Sequence, residues 1–208
     1  VTRDVPVLVA ALLNAAVLTG FVLLWGDGAG VPNLAGQDFH EQGQLVELGL
    51  LTLILPWAAV RCMAPERGAD LVLLSAMTAL RPSVVMTARL VGLTGGLLMI
   101  VAAGVPATLV MLRMAALDAS HLPQTLTAPL VVTACAAAWG AWAGHRVPGR
   151  VAAWCAAGVL TGLTIVVTYG LLPGAVARAL TVASGLVAAG LLITGADREY
   201  RTLSLEAR

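Results

Sequence analysis

Few residues of this chain are of a type that does chemistry, and their positions narrow the choice further. No lysine occurs, so all 12 basic residues are Arg. That removes the Walker A phosphate clamp and any lysine Schiff base. ATP hydrolysis, if coupled to this chain, belongs to another one. The HExxH zinc motif and the GxSxG nucleophile elbow are absent. Ser184, in VASGLVAAG, reads as a small residue in a packed helix. His40, His121 and His145 all fall near the ends of apolar stretches, which argues against a haem held by two histidines across the chain. Three Cys is an odd number and makes no disulfide framework. Cys135 and Cys155 lie in apolar runs, where a thiol behaves as a small hydrophobe.

Two polar residues remain inside or beside apolar stretches. Glu47 stands at the head of one, and a carboxylate in lipid costs about 2.5 to 3.5 kcal/mol at the centre of a span, which makes it a functional candidate by default. Asn14 stands in the middle of another and needs a hydrogen-bond partner within a bundle or at a dimer face. Both are candidates to line a translocation pathway. The alternatives are a hydrated cap near the interface for Glu47 and interhelical hydrogen bonding for Asn14. His40, Gln44 and Glu47 share one helical face by their spacing, with Asp118 and His121 on another loop of the same side. Those groups are of metal-ligating type, but the mixed ligand set is unspecific and a solvated face at the bilayer surface accounts for it. No metal and no cofactor is assigned to this chain.

The elements that must position these residues are membrane helices. Of 208 residues 59% are hydrophobic and 11% charged, with a mean hydropathy of +0.92, where soluble domains carry about 25% charge. A net charge of +1 argues against a nucleic-acid partner. Uncharged windows cover 6–25, 90–112, 126–144, 151–172 and 179–196, each near or above the roughly 18 residues a spanning helix needs. The first exceeds the ~7 to 15 residues of a signal-peptide apolar core. A sixth window, 46–63, is weaker, with Glu47 and Arg61 near its ends and Pro56 inside it. Charge asymmetry requires it. With six spans, ten Arg fall on one side and only Arg113 and Arg178 on the other, which by the positive-inside rule makes the first side, with both termini, cytoplasmic. The expectation is an all-α, six-helix, multi-pass domain over 1–208 in a cell membrane, surrounded by membrane lipids.

Trp25, Trp139, Trp142 and Trp154 fall near span ends, where indoles favour the headgroup layer. Gly92 with Gly96, Gly140 with Gly144, and Gly158 with Gly162 are small-xxx-small pairs that permit close helix contact. The short connections GHRVPGR and LLPG make helices four, five and six antiparallel neighbours.

Between the second and third spans lies APERGADLVLLSAMTALRPSVVMTARLVG. Pro65 and Glu66 suit a helix start, Leu73, Met77 and Leu80 recur at helical spacing, and Arg81-Pro82 breaks the helix. The segment 66–80 therefore reads as an amphipathic helix at the inner membrane surface, which physics alone allows to be a plain elbow. It resembles the segment that follows the second helix in ABC-2 type permeases, through Glu66, Arg67, Gly68, the run Leu71 to Leu74 and the turn Leu80 to Ser83. In that family this segment is the coupling helix. The resemblance implies that Glu66, Arg67, Gly68, Leu73, Met77 and Leu80 dock on a separate cytoplasmic ATPase subunit, which binds ATP and Mg. It also implies a second permease copy or a homologous permease, and export of a hydrophobic or amphiphilic substrate by alternating access. Other readings are a non-catalytic accessory or assembly subunit of a membrane complex, and a small polytopic lipid-modifying enzyme.

Overall fold

The computed structural model describes residues 5–25, 34–63, 77, 81–115, 117, 122–171 and 174–206. They form six helices: α1 (Val5–Trp25), α2 (Leu34–Met63), α3 (Pro82–Met114), α4 (Leu122–Arg146), α5 (Arg150–Leu171) and α6 (Gly174–Glu206). Each contains a stretch long and apolar enough to cross a membrane. Hydropathy alone requires this: with no water in the hydrocarbon core, a helix satisfies its own backbone. The protein is an all-helical, polytopic membrane protein.

The helices run up and down. Met63 and Val60 of α2 approach Gly144 of α4, the Arg146 guanidinium of α4 lies over Gly195 of α6, and the Ser83 N–H of α3 meets Asp197 of α6. One arginine-rich end of the bundle therefore gathers the ends of α2, α4 and α6 and the start of α3. At the other end, Phe21 of α1 stacks on Phe39 of α2 at 5.1 Å. The centre is α4, which packs on α2, α3, α5 and α6. Its buried stripe is small, with Ala136, Ala137, Ala141 and Ala143 all at 0% exposure. In lipid, where apolar burial does not drive association, small residues bring backbones into contact range. Gly140 against Ala59 and Gly144 against Val60 are such approaches, as the spacing predicted. In each of the other two pairs only one member meets a neighbouring helix, Gly96 facing Val7 and Gly162 facing Thr52 at ordinary van der Waals distance. Gly92 and Gly158 have open space beside them, since in a glycine-rich apolar chain the motif recurs on lipid-facing surfaces as well. Gly185 is the unforeseen close approach, its face 3.3 Å from the Cys135 backbone.

The helix that holds the second window is longer than 46–63: α2 runs Leu34–Met63, and its stretch Phe39–Met63 is long and apolar enough to cross a membrane. Pro56 lies inside this helix without ending it, as prolines do in packed membrane helices, and α4 packs closely on the same turn, with Gly140 facing the Pro56 carbonyl. The short turn between α4 and α5 holds Gly149 at φ +91°, a left-handed backbone that suits glycine. The α3 helix starts at Pro82, after extended Arg81, at the break the sequence predicted. The amphipathic helix expected over 66–80 falls outside the described residues, with Glu66, Arg67, Gly68, Leu73 and Leu80. Met77 is described, helical and 78% exposed.

Candidate functional site

Three helices place three residues at one point. In α1, the stripe Ala10, Asn14, Leu18 repeats every four residues and is wholly buried, so Asn14 is carried inward with its apolar neighbours. In α2, Gly43, Glu47 and Leu51 follow the same spacing and are buried too. In α3 the facing stripe is Ile100, Gly104 and Thr108. The Asn14 Nδ2 donates to the Ile100 carbonyl at 2.9 Å, bridging α1 to α3. A methyl group on Gly104 would lie 2.9 Å from Asn14 Nδ2, 2.9 Å from Leu18 Cδ1 and 3.4 Å from Glu47 Oε1. Gly104 is thus the notch into which the amide and the carboxyl both fit.

Glu47 is 1% exposed and Asn14 0%. Neither carboxyl oxygen of Glu47, nor Asn14 Oδ1, has a hydrogen-bond partner among the described residues. The Thr108 hydroxyl, one turn along α3, donates to the Gly104 carbonyl at 3.2 Å and is spent there. Glu47 lies about 12 Å along α2 from Phe39, the first residue of its apolar stretch. It is enclosed by protein. In this structure Glu47 faces the interior of the bundle and not an open aqueous surface.

Asn14 and Glu47, singled out separately in the sequence, are brought together; Gly104 was not foreseen. His40 is buried on the same face of α2, two turns from Glu47, while Glu41 beside it is exposed. Gln44 is half-buried. Asp118 and His121 lie outside the described residues, and among those described no three His, Cys, Asp or Glu side chains gather.

A second polar contact links α4, α5 and α6. Trp139 Nε1 donates to Ser184 Oγ at 3.0 Å, and Ser184 Oγ lies 3.2 Å from Thr164 Oγ1. Thr164 gives its own proton to the Leu160 carbonyl. Ser184 is thus a hydrogen-bonded junction rather than only a small packing residue, and the Trp139 indole is turned inward, away from the purely interfacial role its position suggested. Two apolar clefts open on the bundle surface. One, of about 660 Å³, lies along α1 and α2 beside Val17, Phe21, Leu45 and Val46; the other, of about 460 Å³, lies between α3, α4 and α6 beside Leu90, Leu98, Ala138 and Leu186.

Comparison with protein-family models, with curated proteins and with solved structures finds no match to this chain.

Proposed function

We propose that this chain is the membrane-spanning subunit of an ATP-binding-cassette exporter of the ABC-2 type. It works with a second copy or a homologous permease, and a separate cytoplasmic ATPase binds ATP and Mg. The observation that carries this reading is where the connection 64–81 sits. It has the acidic-basic-glycine start and the apolar repeat of a coupling segment, and it joins the end of α2 to the start of α3. Those are two of the three helices that enclose Glu47, Asn14 and Gly104. A push on the connection displaces both walls of the polar cluster together. Asp197, by holding the Ser83 N–H, passes the same displacement to α6.

Six apolar helices and the absence of lysine fit a subunit that hydrolyses nothing itself. The two clefts are of a size and polarity for hydrophobic or amphiphilic cargo. Since Glu47 and Asn14 are enclosed within one chain, the pathway in this reading opens between copies or when α1 parts from α2 and α3. In this reading the arginine-rich end faces the cytoplasm, as the positive-inside rule favours.

Leu73→Asp and Met77→Asp test the reading. Both variants should insert normally yet lose copurification with the ATPase, or uncouple hydrolysis from transport. If both keep full coupling, or if no ATPase copurifies with the unaltered chain, the accessory-subunit reading replaces this one.

A further inference from the structure

We propose that Glu47 and Asn14 form a buried binding site for one small monovalent cation, a proton or Na+, between α1, α2 and α3. The argument is a count of donors and acceptors. An ionised carboxylate only accepts hydrogen bonds, and an amide oxygen only accepts. One of the two N–H groups of the Asn14 amide is engaged by the Ile100 carbonyl, which leaves one N–H against three acceptor oxygens. Glu47 Oε1, Glu47 Oε2 and Asn14 Oδ1 are all buried and make no hydrogen bond among the described residues. The large majority of buried polar side-chain atoms in native proteins have a partner, and three unsatisfied acceptors point to a missing one.

The missing partner is positive, because a buried charge with nothing opposite it is strongly unfavourable. Among the described residues no side chain supplies that charge. The α1 span contains no ionisable residue. In α3, Arg89 and Arg113 stand about 22 and 14 Å along the axis from Gly104. In α2, Arg61 is exposed and about 21 Å from Glu47, Glu41 is exposed, and His40 is about 10 Å away. Of the other helices that touch α2, α4 has Cys135 packed against Gly185 of α6, with His145 and Arg146 in its last turn, and α5 has Arg150 and Cys155, both exposed.

The partner carries a single charge, since one carboxylate needs one. It is small, since even a methyl group on Gly104 would stand 2.9 Å from both the amide and Leu18. A proton would form an O–H on one Glu47 oxygen, and Asn14 Oδ1 is the acceptor available to it. Na+ would instead use the three oxygens as hard ligands. The proposal does not depend on an ATPase partner.

Infrared difference spectroscopy on the full chain in lipid nanodiscs tests it, titrating pH and, separately, Na+ against choline at constant ionic strength. The Glu47 band is the one lost in Glu47→Gln and displaced in Glu47→Asp, which serves if the Gln variant fails to fold. A carboxylic-acid band at Glu47 that pH alone converts supports the proton. A band that Na+ converts saturably to carboxylate supports Na+, and thermal stability should then rise with Na+ in the unaltered chain only. Asn14→Ala should weaken the apparent affinity roughly tenfold, as for loss of a hydrogen bond to a charged group. An ionised Glu47 that responds to neither pH nor Na+ overturns the site, and unchanged affinity in Asn14→Ala overturns the two-residue form of it.

Discussion

Asp197 Oδ1 in α6 accepts the backbone N–H of Ser83 at 3.2 Å, so the first turn of α3 is capped by a carboxylate from another helix. Arg81, which occupies the N-cap position itself, makes no side-chain cap bond there. The helix start carries free N–H groups and partial positive charge, both of which a carboxylate satisfies. Asp197→Ala should therefore destabilise the fold by about 1 kcal/mol, a fall in Tm of roughly 2 to 4 °C for a chain of this size. Asp197→Asn should lose less. Thermal unfolding in detergent measures both, and an unaltered Tm in the Ala variant would show that the contact contributes nothing.

Ser184 predicts a similar loss by a different route. Replacing it with Ala leaves the Trp139 indole N–H without its acceptor and Thr164 without its neighbouring hydroxyl. Membrane hydrogen bonds average about 0.6 kcal/mol and reach roughly 1.7. Ser184→Ala should fall in that range, with a changed tryptophan emission spectrum as the local readout. Emission identical to that of the unaltered chain would place the Trp139 indole elsewhere.

These contacts show what hydropathy does and does not encode. The six spans are legible because apolar length is a property of each segment by itself. Asn14 and Glu47 are legible because a polar residue in an apolar run is conspicuous wherever it goes. Gly104, Ser184 and Gly185 are not, since a small residue acquires its role only from what another helix places opposite it. Residues 39–45 are polar enough to end a hydropathy window, while their helix continues, so Glu47 stands further inside α2 than the window showed.

Topology gives a prediction independent of packing. The proposed orientation sets ten Arg on one side against two on the other, and under the positive-inside rule it predicts that Arg150 and Arg208 are cytoplasmic. Reporter fusions after each should both read cytoplasmic. A signal from the opposite compartment at either position would remove the proposed orientation.

The sharpest test of the polar cluster is a double-mutant cycle between Gly104 and Asn14. Gly104→Ala inserts a methyl group 2.9 Å from Asn14 Nδ2 and from Leu18 Cδ1, closer than packed atoms tolerate. Something must shift, at a cost of about 1 to 3 kcal/mol for overpacking a tight site. The Leu18 methyl can rotate away, whereas the amide is held by the Ile100 carbonyl at 2.9 Å and cannot move without breaking that bond. Much of the strain in Gly104→Ala therefore runs through Asn14. Asn14→Ala alone loses the α1–α3 bridge, roughly 0.6 to 1.7 kcal/mol. In the double variant the bridge is already absent and the new methyl meets only Leu18. The combined destabilisation should fall short of the sum of the two single losses by about 0.5 to 3 kcal/mol, as for residues in direct contact. Denaturation of all four proteins in the same detergent measures the coupling. Strict additivity would mean that Gly104 and Asn14 do not touch, and that α1 does not seat its amide in the notch of α3.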